Sequence, residues 1–200
     1  MKIKFTNPIG VTARHLKNAV CKDKLRLALS GVFIDLKNKQ LVATNAHVLI
    51  AYPIEIEEMD IALPEGQDGF IVPVRYFDNT RYMFDVPTKG KRIIEPEYFL
   101  TDEYAEVYFC GELVFRCKYI DGKYPDYMKV IPSGEPERVF SEFGLNLDVM
   151  DHFIKSVPKR NPMTYKVSLH APNKAIKFID THANYDRPIL GIVMPAMLTK

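Results

Sequence analysis

Apolar residues in this chain alternate with polar ones in short runs, and settle into a helical period only in places. Ile3 and Phe5, flanked by lysines, predict a strand that Asn7-Pro8 and Gly10 break. Thr12 is placed to cap a helix from Ala13, with Ala13, Leu16, Ala19 and Val20 on one face and Arg14, Lys17, Asn18 and Lys22 on the other. Two β-type runs follow, Leu25 to Leu36 and Leu41 to Ala51, joined by a polar loop at Lys37–Gln40, with a further short strand near Ile54. The acidic, proline-bearing stretch 53–68 reads as a surface connector.

Phe70-Ile71-Val72-Pro73 opens a second unit. A helix of about three turns is predicted for Val74–Phe84, then a loop carrying the basic run Lys89-Gly90-Lys91-Arg92. Strands follow at Tyr98–Leu100, Ala105–Cys110 and Leu113–Ile120, the last two joined at Gly111-Glu112. Ser133–Glu137 is small, polar and proline-containing, as a linker should be. Beyond it come a strand at Val139–Leu145 and a helix capped by Asn146, with Leu147, Met150, Ile154 and Val157 on one face and Pro158 as its stop. A hairpin of Tyr165–Leu169 and Ala175–Ile179 and a strand at Ile189–Met194 complete the pattern. Each unit is strand, helix, then antiparallel strands. The predicted organisation is an α+β domain over 1–132, built of two modules at 1–56 and 69–132, a linker at 133–138, and a single module at 139–200.

At 200 residues and 47% hydrophobic content the chain can bury a substantial core. No apolar run approaches the roughly 18 residues of a membrane span, and the first residues carry no apolar leader. Three cysteines without a C-x-x-C point to a reducing, cytoplasmic setting. The net charge of +2 conceals an asymmetry: nine Lys/Arg against two Asp in residues 1–52, five against twelve acidic residues in 53–105. A basic first quarter suits a polyanionic partner or a solvated basic face.

Nucleophile-elbow, phosphate-loop, H-E-x-x-H and dinucleotide motifs are all missing from the sequence. Asp121 and Asp126 sit where turns favour Asp for local hydrogen bonding. His47 has no other histidine at ligand spacing. The expectation is a binding protein without catalytic residues, metal or cofactor.

The most informative stretch is Lys118–Pro132, K-Y-I-D-G-K-Y-P-D-Y-M-K-V-I-P, where Asp-Gly turns the chain and Pro125 stiffens it. It resembles the D-G-x-F-P-D-Y-x-x-V-x-P run of the bacterial DNA polymerase III β subunit, the sliding clamp. Leu41–Ala51, L-V-A-T-N-A-H-V-L-I-A, is similar to that family's V-A-T-D-G-H-R-L-A, with Asn45-Ala46 for Asp-Gly and Val48 for Arg. Arg26, Leu29 and Gly31 match its R-x-x-L-x-G run, and Phe70–Pro73 its V-I-V-P strand. The final I-V-M-P-A-M-L resembles V-V-M-P-M-R-L, with Met197 for Arg.

The resemblance implies a clamp-like fold and a polymerase processivity factor. It implies sequence-independent contact with duplex DNA, here through Arg14, Lys17, Lys22, Lys24 and Arg26. It also implies a groove that docks short linear motifs of DNA polymerase or repair proteins. The matching positions are Leu29, Thr44, His47, Leu49, Pro125, Lys129, Val130, Asn146, Ile192, Met194, Pro195 and Leu198. A clamp loader and other copies of the chain are further partners it implies, and no membrane. Because module three has no companion module, it is expected to expose an apolar helix face and a sheet edge and to self-associate. An adaptor that binds the same peptides without encircling DNA is the alternative reading.

Overall fold

Short alternating runs give twelve strands among the residues described in this computed structural model, which are 2–7, 10–23, 25–60, 63, 66–78, 95–136, 143–159, 163–171, 173–181 and 188–196. In chain order they are β1 (Lys2–Thr6), α1 (Ala13–Leu16), α2 (Leu27–Ser30), β2 (Gly31–Asp35), β3 (Gln40–Thr44), β4 (Val48–Pro53), β5 (Glu55–Met59) and β6 (Gly69–Pro73). After a 3-10 turn at Val74–Phe77 come β7 (Glu97–Thr101), β8 (Tyr104–Phe109) and β9 (Glu112–Lys118). A second 3-10 turn at Tyr127–Val130 precedes α3 (Leu147–Ser156), β10 (Tyr165–Ser168), β11 (Ile176–Asp180) and β12 (Leu190–Val193).

The strands form two antiparallel sheets, ordered β5-β1-β7-β8-β9 and β10-β11-β12-β4-β3-β2-β6. β1 belongs by sequence to the first module but pairs with β7 of the second, while β6 of the second pairs with β2 of the first. This exchange of leading strands interlocks the two modules, so neither can be peeled away without breaking a ladder.

The larger sheet is buried on both faces, which is why β4 lacks alternation and is apolar throughout. Val48, Ile50 and Tyr52 face the main core with Leu41, Ala43 and Val193. Leu49 and Ala51 face a second cluster with Val42, Ile71, Tyr124, Tyr127 and Ile192. That second cluster is the floor of the site described below.

Residues 143–196 join the first module through β12, which pairs with β4 from Leu190↔Ala51 to Val193↔Val48. α3 crosses this joint and packs against α1, β4 and β12. Its Phe153 ring lies 4.7 Å from Phe178 and 5.7 Å from Tyr165, over Gly191, where an added Cβ would stand 2.2 Å from the ring. The Tyr52 hydroxyl donates to the Ser156 carbonyl, and Asn18 Nδ2 donates to the Lys155 carbonyl at 3.2 Å.

Several sequence expectations change. The run from Leu25 to Leu36 is not one strand: Asp23 Oδ1 accepts from Leu25 N at 2.9 Å, making a turn, and Leu27–Ser30 is a single helical turn before β2. The run Leu41–Ala51 folds at Asn45–His47 into the β3–β4 hairpin. The acidic connector contains β5, where Ile56 points inward and the glutamates outward, Glu57 reaching Lys4 at 3.1 Å. The helix expected at Val74–Phe84 is a 3-10 turn over Val74–Phe77; the part beyond Asp78, the Lys89–Arg92 run and Val139–Glu142 lie outside the described residues. The rest of the strand expected at Val139–Leu145 makes only an isolated bridge, Gly144 to Ala196. On α3 the buried face is Phe153 and Ser156, while Leu147 and Ile154 are 76% and 51% exposed. The large ring takes the space that Gly191 opens, while of the expected face Val157 is buried and Met150 packs against the core. Module three joins the first module through β12, which pairs with β4, and it still shows the expected open edge and apolar surface: β10 is the edge strand with Val167 exposed, and Leu147 and Ile154 of α3 are exposed.

Candidate peptide groove and basic helix

Three stretches far apart in sequence meet over the second apolar cluster. The first is the β3–β4 turn. Asn45 Oδ1 accepts from His47 N at 2.9 Å and Val48 N at 2.8 Å, and Thr44 Oγ1 donates to the Val48 carbonyl at 2.7 Å. Ala46 is held at φ 75°, a left-handed conformation that glycine adopts more readily. The second is the turn entered at Tyr124. Tyr124 stacks on Phe33 with centroids 4.8 Å apart and planes at 11°, and its buried hydroxyl donates to the Val42 carbonyl at 3.3 Å. The third is the end of β12, where Met194 N donates to the His47 carbonyl at 2.9 Å.

Between them lies a cavity of about 250 Å³ lined by Leu29, Thr44, Ala46, His47, Val48, Leu49, Pro125, Asp126, Tyr127, Val130, Ile192 and Met194. Val130 and Met194, 47% and 38% exposed, form its lips, and Leu49 and Ile192, paired across β4–β12, form its floor. Its walls are mostly apolar, suited to aliphatic or aromatic anchors.

Of the twelve sequence-expected positions, Leu29, Thr44, His47, Leu49, Pro125, Val130, Ile192 and Met194 line this cavity. Lys129 points away, its ammonium 3.1 Å from Asp126. Asn146 caps α3, accepting from Asp148 N at 2.9 Å. Pro195 is half-buried just past the lip, and Leu198 lies outside the described residues. Ala46, Val48, Asp126 and Tyr127 line the cavity without having been among the expected groove positions; they sit within two residues of His47 or Pro125, at turns whose curvature periodicity does not reveal.

The basic positions are less concentrated. The helix expected to carry the basic face is only the four residues of α1, so Arg14 is exposed on it and Lys17 at its C-cap; α1 lies between the Val74–Phe77 turn and α3. Lys22 and Arg26 are exposed on the following loop, Arg26 within 3.9 Å of Asp23, and Lys24 lies outside the described residues. His15 is drawn into the helix cap, its Nδ1 accepting from Thr12 N at 3.2 Å; burial first, then the Arg14 charge, holds its pKa below the usual histidine value. Lys155 pairs with Asp151 on α3.

A larger cleft of about 640 Å³ lies at the seam of β6 and the chain leaving β9, walled by the Phe33–Tyr124 and Phe70–Tyr119 stacks. Among the described residues no group of His, Cys, Asp and Glu is placed to hold a metal, and no helix is long and apolar enough to cross a membrane.

Comparison with known proteins finds β sliding clamps, in sequence and in fold. The chain is 24% identical over 145 residues to the β sliding clamp of Proteus mirabilis, covering 70% of this chain and 37% of that protein. It is 29% identical over 136 residues to the β sliding clamp of Pseudomonas aeruginosa, covering 62% of this chain and 32% of that protein. The solved DNA polymerase sliding clamp of Bacillus subtilis superposes on 100% of this chain with a TM-score of 0.68 at 12% identity, and 65% of that clamp is covered. No family model matches. The matches thus span about a third of the curated relatives and about two thirds of the solved clamp.

Proposed function

We propose that this chain, a β-sliding-clamp relative in fold and in sequence, serves as a clamp-like processivity factor that docks short apolar motifs of replication or repair proteins in the Leu49–Val130–Met194 groove. The observation that carries this reading is convergence: three sequence stretches that resemble clamp motifs, separated by about 75 and 65 residues, build one apolar cavity. The mostly apolar lining of the cavity supports a binding role. The lip methionine, unbranched and polarizable, adapts to varied anchors. Val48 stands where the family carries arginine, which makes the groove less selective for acidic or polar ligand groups.

Duplex DNA is the second proposed ligand, met by Arg14, Lys17, Lys22 and Arg26 through phosphate contacts. The exposure of Arg14 on α1, of Lys17 at its C-cap and of Lys22 and Arg26 beyond it supports this. An adaptor that keeps the groove without encircling DNA predicts peptide binding alone.

The test is a pair of titrations. A capped peptide with leucine and phenylalanine anchors should bind with Kd of about micromolar order, and Val130→Asp should abolish binding by placing a carboxylate in an apolar wall. Duplex DNA should bind without sequence preference, log K falling with log salt at a slope of about −3 if three phosphates are neutralised. Replacing Arg14, Lys17 and Lys22 by Glu should remove that binding. Peptide binding that ignores Val130→Asp refutes the groove; DNA binding that survives the triple replacement refutes the basic helix.

A further inference from the structure

The wall of the groove that carries Pro125 and Val130 belongs to neither sheet. Residues 121–131 form no strand, and the 3-10 turn Tyr127–Val130 is held to itself only by local bonds such as Ile131 N to the Met128 carbonyl at 3.3 Å. Its outer residues Met128, Lys129 and Val130 are exposed. Such a segment needs an anchor if it is to keep one position over Leu49 and Ile192.

Its first part is anchored by Tyr124, stacked on Phe33, and its second, the 3-10 turn, by a buried polar contact with the hairpin joining β2 and β3. Tyr127, 5% exposed, donates its hydroxyl to Asp35 Oδ2 at 2.7 Å and lies 3.3 Å from Gln40 Oε1. Asp35 is 2% exposed. Its carboxylate is completed by Asn38, whose backbone N donates to Oδ1 at 2.7 Å and whose Nδ2 donates to Oδ2 at 2.8 Å. A carboxylate buried in this way is costly unless it is hydrogen-bonded, and here it accepts three bonds, two from Asn38 and one from Tyr127 of the turn it holds. Burial and then the adjacent carboxylate keep the Tyr127 hydroxyl protonated far above neutral pH, so the donor is always present.

We propose that Asp35 is a positioning residue for the groove: through Tyr127 it fixes the turn that carries Val130, so that the free protein holds the groove open at the width of its ligand. Asp35 is not itself among the residues that line the cavity and meets it only through Tyr127. This rests on the groove reading given above. Preorganisation of this kind acts mainly on the lifetime of the complex.

The experiment uses the full chain and the capped peptide with two leucines and a phenylalanine, followed by surface plasmon resonance and by amide hydrogen exchange. Tyr127→Phe keeps the ring and removes only the hydroxyl; Asp35→Asn keeps the shape and replaces one acceptor by a donor. Each should weaken the peptide about five-fold, chiefly through faster dissociation, and accelerate exchange at residues 126–131 while β1 and β7 keep their protection. Loss of protection throughout the chain would assign the pair to general stability and overturn the proposal. Unchanged peptide kinetics in both variants, with Val130→Asp still abolishing binding, would overturn it and leave the groove intact. Peptide binding indifferent to Val130→Asp would overturn the groove and this inference with it.

Discussion

Replacing Gly191 by alanine places a methyl group 2.2 Å from Phe153 Cε2 and 3.0 Å from Cζ, in a region closed by α3 on one side and by β4 and β11 on the other. The ring cannot withdraw without losing its contacts with Phe178 and Tyr165. Overpacking of this kind costs about 1–3 kcal/mol, less a few tenths that alanine recovers through its lower backbone entropy in a strand. Phe153→Ala alone should cost about 3–5 kcal/mol, from lost burial and the cavity left between α3 and the sheet. In the double variant the clash has no partner, and the new methyl takes up part of the cavity. Its destabilisation should therefore be close to that of Phe153→Ala alone, a coupling of about 1–3 kcal/mol from additivity. Urea unfolding followed by circular dichroism measures all four proteins, with a shared slope as the check on two-state behaviour. Additivity within about 0.5 kcal/mol would refute the packing of Phe153 on Gly191, and with it the account of how residues 143–196 are fixed against the first module.

Two further predictions concern titrating groups. Because the folded pKa of His15 lies below its unfolded value, its contribution to stability is present above about pH 6.5 and is lost as pH falls through the folded value; Tm between pH 8 and pH 5 should fall less steeply in His15→Gln, and an unchanged slope would contradict the capping role. Burial pushes the Cys117 thiol up to about 11, whereas Cys110 is exposed, so a disulfide-forming thiol reagent at pH 8 should modify Cys110 at once and Cys117 only on unfolding, and equal rates would contradict the burial of β9.

The strands that place the groove were legible because their apolar residues alternate or cluster between turn formers, as in Phe70–Pro73 and Ile189–Met194. What escaped was non-local. That β1 and β6 change sheets leaves no mark in their own sequences, since either sheet offers the same pleated surface to Ile3 or Ile71. The period of α3 placed Met150 and Val157 inward, but it did not show that Phe153 would fill the space over Gly191 while Leu147 and Ile154 stay exposed. Turns concealed inside apolar runs were also missed: Asn45 bends Leu41–Ala51 through side-chain bonds that compete with the ladder. For the groove, most of the expected positions came together because they lie on three rigid turns and strand ends. Asn146 and Lys129 did not line it because their side chains serve a helix cap and a local ion pair. Tyr127 and Asp126, within the most informative stretch, were passed over because nothing in the sequence says which side of a 3-10 turn faces a cavity.

The central claim is that the surface over Leu49, Val130 and Met194 is where partner peptides dock. Its most direct test is an amide-exchange footprint of the full chain with and without a saturating leucine- and phenylalanine-bearing peptide. The account predicts slowed exchange at residues 44–49, 126–131 and 192–194, and little change in β7, β8 or β9. Protection centred instead on the cleft beside Asp102 and Tyr119, or no protection at saturation, would contradict it.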